Sequence, residues 1–314
     1  MASMRGFRKV EDIKLSEGMS VDALINAYSA SGGFTAKKLA VAVDILSDML
    51  SDEASVNFLS FPACIISTGT RGVIKELVKR RLFDVVVTTC GTLDHDLARV
   101  WKDYYHGDFM MDDSDLAEKG VNRLGNILIP NECYGEILEE KIQPIFEKIF
   151  SEGHNNPSGI ELVREVGKHI MDESSIIYWC AKNEIPVVVP GFFDGAFGSQ
   201  AFFSSQGRDF NVDLLADQKF MSDHVFGAKC TGALMVGGGI SKHHTIWWNQ
   251  FAGGLDRVVY LTSAPEWDGS LSGARIREAV SWGKVKRKAR YVTVEGDATI
   301  NLPLIVAGTL KNLK

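Results

Sequence analysis

Phe83-Asp84-Val85-Val86-Val87-Thr88-Thr89-Cys90-Gly91 is the stretch on which the architecture turns. Its β-branched residues are apolar at consecutive positions, which suits a strand covered on both faces, the environment of a parallel sheet. The run closes on small polar residues, and residues 93–101 then read as helix. Strand, short loop and helix make one step of an α/β fold. The step occurs once upstream, where residues 56–61 lead through a loop at 62–69 into a helix at 71–81. It returns at 186–194, at 232–236 before Gly237-Gly238-Gly239 and a helix through Phe251, at 258–263, and at 291–295 before a helix at 302–310. The expected fold is therefore α/β: a single doubly wound, Rossmann-like, mostly parallel sheet with helices on both faces.

The rest of the chain frames these units. Residues 1–33 are polar and rich in serine and glycine, with a short amphipathic piece at 21–28, and are expected to form an N-terminal arm. Helices are expected at 37–50, 134–151, 158–171 and 176–181, with an amphipathic segment at 212–220. Residues 104–128 are polar and turn-rich, and Gly120 to Asn126 read as a surface connection approaching a site. No repeat, linker or low-complexity tract divides residues 34–314, so they are taken as one domain.

A chain of 314 residues holds ample material for a core, and its formal net charge of -6 argues against a general nucleic-acid or anionic-membrane binder. The local exception is Lys284 to Arg290 (KVKRKAR), either the solvated face of a strand or a docking patch for an acidic protein partner. Cys64, Cys90, Cys133, Cys180 and Cys230 are scattered and form no Cys-x-x-Cys pair, so neither zinc nor a redox couple is expected and a reducing cytoplasm fits. Residues 1–15 lack the continuous apolar core of a signal peptide, and no apolar run approaches the ~20 residues that span a bilayer.

Chemistry is expected in Glu266-Trp-Asp-Gly-Ser-Leu-Ser-Gly-Ala-Arg-Ile-Arg-Glu-Ala-Val-Ser-Trp-Gly-Lys284. Asp268-Gly269-Ser270 is turn chemistry, Ser272 is expected to cap a helix from about Ala274, and Gly283 suits a left-handed helix end. Lys284 is thereby delivered just beyond the last turn. Glu278 and Trp282, four apart, share a face beside it. A carboxylate, an indole and a lysine amine suit an amine substrate, with cation–π attraction contributing roughly 0.5–2 kcal/mol and a desolvated lysine able to attack. A lysine in this position equally serves to complement the helix dipole.

Ligands of open parallel sheets gather beyond the carboxyl ends of the strands. The loops expected there are Ser67-Thr68-Gly69, Thr89-Cys90-Gly91, Asp194-Gly195, Gly237-Gly238-Gly239, Ser263-Ala264 and Asp297-Ala298. Together they have little enough bulk to line a dinucleotide groove, although none is G-x-G-x-x-G and each alone reads equally as an ordinary turn. Lys242-His243-His244 opens a helix whose N-terminal partial charge would keep an imidazole neutral as a base. Adjacent helical side chains diverge by about 100°, which argues against the two histidines sharing a metal.

The lysine run resembles the active-site signature of the deoxyhypusine synthase family, close to EFDGSxSGARPDEAVSWGK, and departs from it at Trp267, Ile276 and Arg277. Residues 65–71, 122–126, Pro130-Asn131-Glu132 and Asp297 extend the resemblance over nearly the whole chain, as an archaeal- or bacterial-type homologue. It implies a cytoplasmic, NAD-dependent transferase that moves the 4-aminobutyl group of spermidine, through an imine on Lys284, to a lysine of the initiation factor 5A precursor. It also implies a homotetramer with sites at subunit interfaces, and no metal, nucleic-acid or membrane partner. By the same resemblance Lys284 and His243 are catalytic, and Glu278, Trp282, Gly269, Ser270, Asp94, His95 and Ser199 surround the amine. Ser67, Thr68, Thr89, Cys90, Gly91, Asp194, Gly238, Ser263, Ala264, Asp297 and Ala298 would follow NAD, with Asp194 and Asp297 on its hydroxyls or amide.

Three acids that bind the polyamine in the eukaryotic enzymes are replaced here by His95, Ser199 and Leu271, while Asp94, Asp96 and Glu278 remain. Each lost charge-assisted contact is worth roughly 1.5–3 kcal/mol. A different amine such as putrescine or agmatine, and a homospermidine synthase-like transfer to a free amine, therefore stay open beside spermidine, as does an inactive NAD-binding homologue.

Overall fold

The structure, a computed structural model, describes residues 6–153 and 155–313, so the first five residues of the expected arm lie outside the described residues. Helices α1 (Val21–Ser31) and α2 (Phe34–Leu50) lead into β1 (Ser55–Ser60), followed by α3 (Arg71–Lys79), β2 (Val85–Val87) and α4 (Cys90–Trp101). Next come β3 (Tyr105–His106), α5 (Asp113–Glu118), β4 (Val121–Leu124) and β5 (Ile127–Pro130). Helices α6 (Gly135–Ser151), α7 (Gly159–Lys168) and α8 (Ile176–Lys182) precede β6 (Val187–Val188), and α9 (Ala196–Ser205) and α10 (Leu214–Gly227) precede β7 (Cys230–Val236). The chain continues through α11 (Gly239–Phe251), β8 (Leu255–Thr262), α12 (Ile276–Ser281), β9 (Val285–Glu295) and α13 (Ala298–Asn312).

Six strands form one sheet in the order β6-β2-β1-β7-β8-β9, and every neighbouring pair is parallel. The chain winds outward from β1 to β6, then returns to the other side of β1 with β7. Winding reverses between β1 and β7, the point at which a crevice opens in doubly wound sheets. Successive strand residues enter two separate cores. Phe58, Val85, Val87, Met235 and Tyr260 pack under α10, α11 and α12, whereas Leu59, Val86, Leu234, Val259 and Val294 pack under α2, α3 and α13. Coverage on both faces is why the strands read as unbroken apolar runs. Ile25 of α1 is buried in the second of these cores, so the helical part of the expected arm packs on the sheet domain.

Residues 104–128 differ from the expected connection. They lead into a small antiparallel sheet, β3-β5-β4, in which Gly120 to Asn126 supply β4 and the turn of a hairpin closed by β5, with Gly125 at φ 64°. Strands of two to four residues carry too short a pattern to distinguish from a loop. Beyond Lys284 the basic run forms the first part of β9, where Lys286 pairs with Asp256 and Arg290 with Asp48, while Arg287 and Lys288 are exposed. Among the described residues no helix is long and apolar enough to cross a membrane.

Candidate active site

Helix α12 gives way at Trp282 to Gly283, whose φ of 70° is the left-handed conformation glycine tolerates. The Lys284 amide then donates to Ala279 O at 3.0 Å, and its carbonyl accepts from Leu255 N at 3.1 Å, so the backbone is fixed between α12 and the start of β8. Its Nζ stands 5.4 Å from the Trp282 ring and 5.8 Å from the Trp247 ring, and no described residue holds it by a hydrogen bond or ion pair. A cavity of about 200 Å³ is lined by Lys284, Glu278, Trp282, His243, Lys242 and Arg275, among others. The four groups expected to converge there do so. A larger cavity of about 360 Å³ lies between α7, α8 and α10 and is lined by none of the expected residues.

His243 stacks on Trp247 at 5.6 Å. Burial, and then the charge of Lys284, push its pKa down, which favours the neutral imidazole. The expected direction holds, but the helix N-terminus is not the leading cause. A second difference concerns Ser272, which caps nothing: α12 starts at Ile276, with no side-chain cap at Arg275. The Ser272 carbonyl instead accepts from Tyr260 Oη at 2.6 Å and Thr262 Oγ1 at 2.8 Å, and Ser270 Oγ accepts from Gly273 N at 3.1 Å. Gly238 abuts Ser272 so closely that any Cβ on it would collide with the serine backbone. Residues 270–274, pinned on both sides, stay outside the helix, which begins only after Arg275.

Two groups beside the lysine, Trp247 near its amine and Lys242 in the cavity wall, were not expected. Trp247 was accessible from spacing, being four residues beyond His243 on the same helix. Lys242 was not, because its partners lie about thirty residues away. Its Nζ donates to Leu271 O and Ala274 O, both at 2.7 Å, and sits 3.8 Å from the Tyr260 ring. Burial pushes its pKa down to about 7 against the opposing charge of Glu278. Both carbonyl bonds occupy the Lys242 amine, which leaves Lys284 as the uncommitted amine of the cavity.

The other residues expected near the amine do not line this cavity. Asp94 is fully buried and accepts from Ala196 N at 2.9 Å, Phe197 N at 2.7 Å and Tyr134 Oη at 2.8 Å, so it caps α9, and burial raises its pKa. His95 Nδ1 lies 2.9 Å from Tyr104 Oη, and burial pushes its pKa down to about 4, so it is neutral. Ser199 Oγ donates to Gly195 O at 3.0 Å. Gly269 and Ser270 occupy an exposed turn. Asp96, also buried, accepts from Arg71 Nε at 2.7 Å and from the first amides of α8, a structural use.

The residues expected along a cofactor all follow the carboxyl ends of the parallel strands. Several are committed locally. Ser67 Oγ donates to Cys64 O at 2.8 Å, Thr68 Oγ1 to Ile65 O at 2.7 Å, and Thr89 Oγ1 accepts from Ala63 N at 3.1 Å. Asp297 caps α13 through Thr299 N at 2.9 Å, Cys90 is buried with its thiol pKa raised by burial, and Gly91 sits against Ala63. Asp194 and Ser263 are exposed, and Ala264 and Ala298 add no bulk. At the switch point, a Cβ on Gly237 would lie 3.2 Å from Pro62, so the β1 and β7 loops touch. The N-termini of α4 and α11 open there without side-chain caps, at Thr89 and Gly238. Uncapped amides that donate, a carboxylate that accepts and small residues that give room are what a dinucleotide's pyrophosphate and hydroxyls require.

This edge and the lysine occupy opposite ends of the strands. Lys284 precedes the first residue of β9, whereas Asp297 follows its last. Arg275 links the two regions, lining the lysine cavity while its Nη1 donates to Ala264 O at 3.1 Å. Among the described residues no group of three His, Cys, Asp or Glu is arranged to hold a metal ion.

The model of the deoxyhypusine synthase family matches residues 23–309. A relative from Picrophilus torridus named "Probable deoxyhypusine synthase" is 54% identical over 96% of this chain and 97% of its own. Another of the same name, from Ignicoccus hospitalis, is 50% identical over 97% and 96%. The crystal structure of a deoxyhypusine synthase-type protein from Entamoeba histolytica superposes with a TM-score of 0.69 at 20% identity, covering 97% of this chain and 98% of that one, a likeness of fold.

Proposed function

The chain belongs to the deoxyhypusine synthase family, and on that premise we propose that it is an NAD-dependent transferase with Lys284 as the carrier of the transferred group. The group is the 4-aminobutyl unit of spermidine, and the acceptor is a lysine of the initiation factor 5A precursor in the cytoplasm. One observation supports this reading above the others: the amine of Lys284 stands uncommitted between two indoles, in a cavity that also holds a carboxylate and a neutral imidazole.

NAD, held by the uncapped amides of α4 and α11 with Asp194 and Ser263, would supply a hydride acceptor and later a hydride donor, so the overall transfer is redox-neutral. Lys284 Nζ adds to the imine carbon of the oxidised amine. A bond to Nζ forms, the bond to the departing diamine breaks, and the butyl fragment stays on the lysine as a Schiff base. The acceptor lysine then displaces Nζ by the same exchange. His243 takes and returns the proton at each addition, Glu278 holds a cationic end, and Trp282 and Trp247 cover the chain and exclude the water that would hydrolyse the imine. Trp282 walls the cavity and Trp247 stands beside the lysine amine, 67% and 43% exposed, which favours completion of the site by a second copy in a homotetramer.

A second reading of the amine rests on His95 and Ser199, one neutral and the other bonded to its own helix, neither of which presents an anion to a distant ammonium. It allows a donor of lower charge, such as putrescine or agmatine, or a free amine as acceptor. Protein incubated with NAD and each labelled amine, then reduced with borohydride, should gain an aminobutyl unit that maps to Lys284 and is absent from Lys284→Ala. Label found on the factor 5A precursor, or on free putrescine, separates the two acceptors, and no adduct with any amine would leave only an inactive NAD-binding homologue.

A further inference from the structure

Lys242 is 2% exposed, yet its charged-type side chain forms part of the wall of the site. It lies on the first turn of α11, one residue before His243, and its two 2.7 Å bonds reach across to the carbonyls of Leu271 and Ala274. Tyr260, whose ring underlies the ammonium at 3.8 Å, holds the carbonyl of Ser272 between those two anchor points. Leu271 and Ala274 are themselves walls of the Lys284 cavity, and the segment they bound leads directly into α12, which carries Glu278 and ends at Trp282.

We infer that Lys242 is a positioning residue: its Nζ ties the 271–274 segment to α11 and so fixes the cavity wall and the start of α12 relative to His243. The inference deepens the transferase reading and rests on it for its kinetic arm. Glu278 on α12 favours the charged form of Lys242, whereas Arg275, Lys284 and burial oppose it. A neutral amine retains two N–H donors, enough for both carbonyls, so the tether survives loss of the proton. An apolar side chain of the same length would preserve the packing on Tyr260 and leave both carbonyls without a donor. No other described group donates to them.

The test uses the full chain with Lys242→Met and Lys242→Arg, read by amide hydrogen exchange and by amine-dependent NADH formation. In the Met variant, exchange at residues 272–275 should accelerate about tenfold or more while α2 and α13 stay protected, because a local opening is being made easier. The amine KM should rise about tenfold with kcat within about threefold, the signature of lost ground-state placement. Lys242→Arg, which keeps the donors, should recover part of both. Unchanged exchange at 272–275, a uniform loss of protection over the whole chain, or equal kinetics in the Met variant would each overturn the inference. Should that variant not fold, the unaltered protein decides: protection at 272–275 matching α11 supports the tether, and free-peptide exchange rates overturn it. Absence of any amine adduct on the unaltered protein counts against the transferase reading alone, since the exchange arm needs no turnover.

Discussion

Asp217 is 2% exposed and accepts from Ile160 N at 3.0 Å, and burial raises its pKa from 3.8 to about 6. Between those values the folded chain binds a proton that the unfolded chain has released. This carboxyl therefore contributes stability that is full below about 3.8 and is lost as the pH rises toward 6. His95 and His244, both pushed down by burial to about 4, act in the opposite sense: their contribution is full above about 6.5 and is lost as the pH falls. The slopes oppose each other in one window. Asp217→Asn removes one of them, so stability should rise with pH between about 4 and 6 more steeply than in the unaltered protein, by roughly 1.4 kcal/mol per pH unit. Denaturant melts at two pH values in that window measure the difference, and parallel slopes would contradict it. What was legible at this scale was local. Lys284, Glu278 and Trp282 share one helix and its exit, so spacing brings them together. Asp94, Asp96 and Lys242 take their roles from partners 25 to 103 positions away, which no spacing rule reaches.

At the scale of elements, two glycines bound the lysine segment for different reasons. Gly283 is at φ 70° with nothing within 4 Å of where an added Cβ would stand, so Gly283→Ala meets strain but no collision and should cost about 1–2 kcal/mol. Gly238 has no room at all against Ser272, so Gly238→Ala must displace either the α11 N-terminus or the 270–274 segment. It should cost more stability than Gly283→Ala and also weaken amine binding, as thermal melts and amine titration of the two variants would show. Equal effects would mean that the segment is free to move. The Gly283 turn was readable because a left-handed helix end needs only the residue itself. The start of α12 was not, since the contact that delays it joins two loops 34 positions apart, Gly238 to Ser272. The same contrast runs through the fold. The parallel strands, buried on both faces, announced themselves as apolar runs, while β3, β4 and β5 of the small sheet were too short to do so.

For the whole molecule the decisive geometry is that Lys284 stands at the amino end of β9 and the cofactor-type loops stand at the carboxyl ends. A transfer that needs a lysine beside a nicotinamide is then met most directly if the lysine of one copy faces the loop edge of another. The exposed Trp282 of the lysine cavity, with the exposed Trp247 beside the lysine and Phe251 packed on Trp247, supplies the apolar surface such a contact would cover. Under this arrangement Lys284→Ala and Asp194→Ala disable different halves of one composite site, and each alone should be inactive. Coexpressed, they form mixed pairs in which one of two sites draws an intact lysine from one chain and an intact loop edge from the other. With half of the pairs mixed and half of their sites whole, activity should return to about a quarter of the unaltered level across a two-fold interface. Trp247→Glu, placing a charge in the contact, should shift light-scattering mass toward the 34.5 kDa single chain and abolish that recovery. If the mixed population stays inactive although mass analysis shows both variants in the same particles, lysine and loop edge must serve each other within one chain, and the interface site would have to be abandoned.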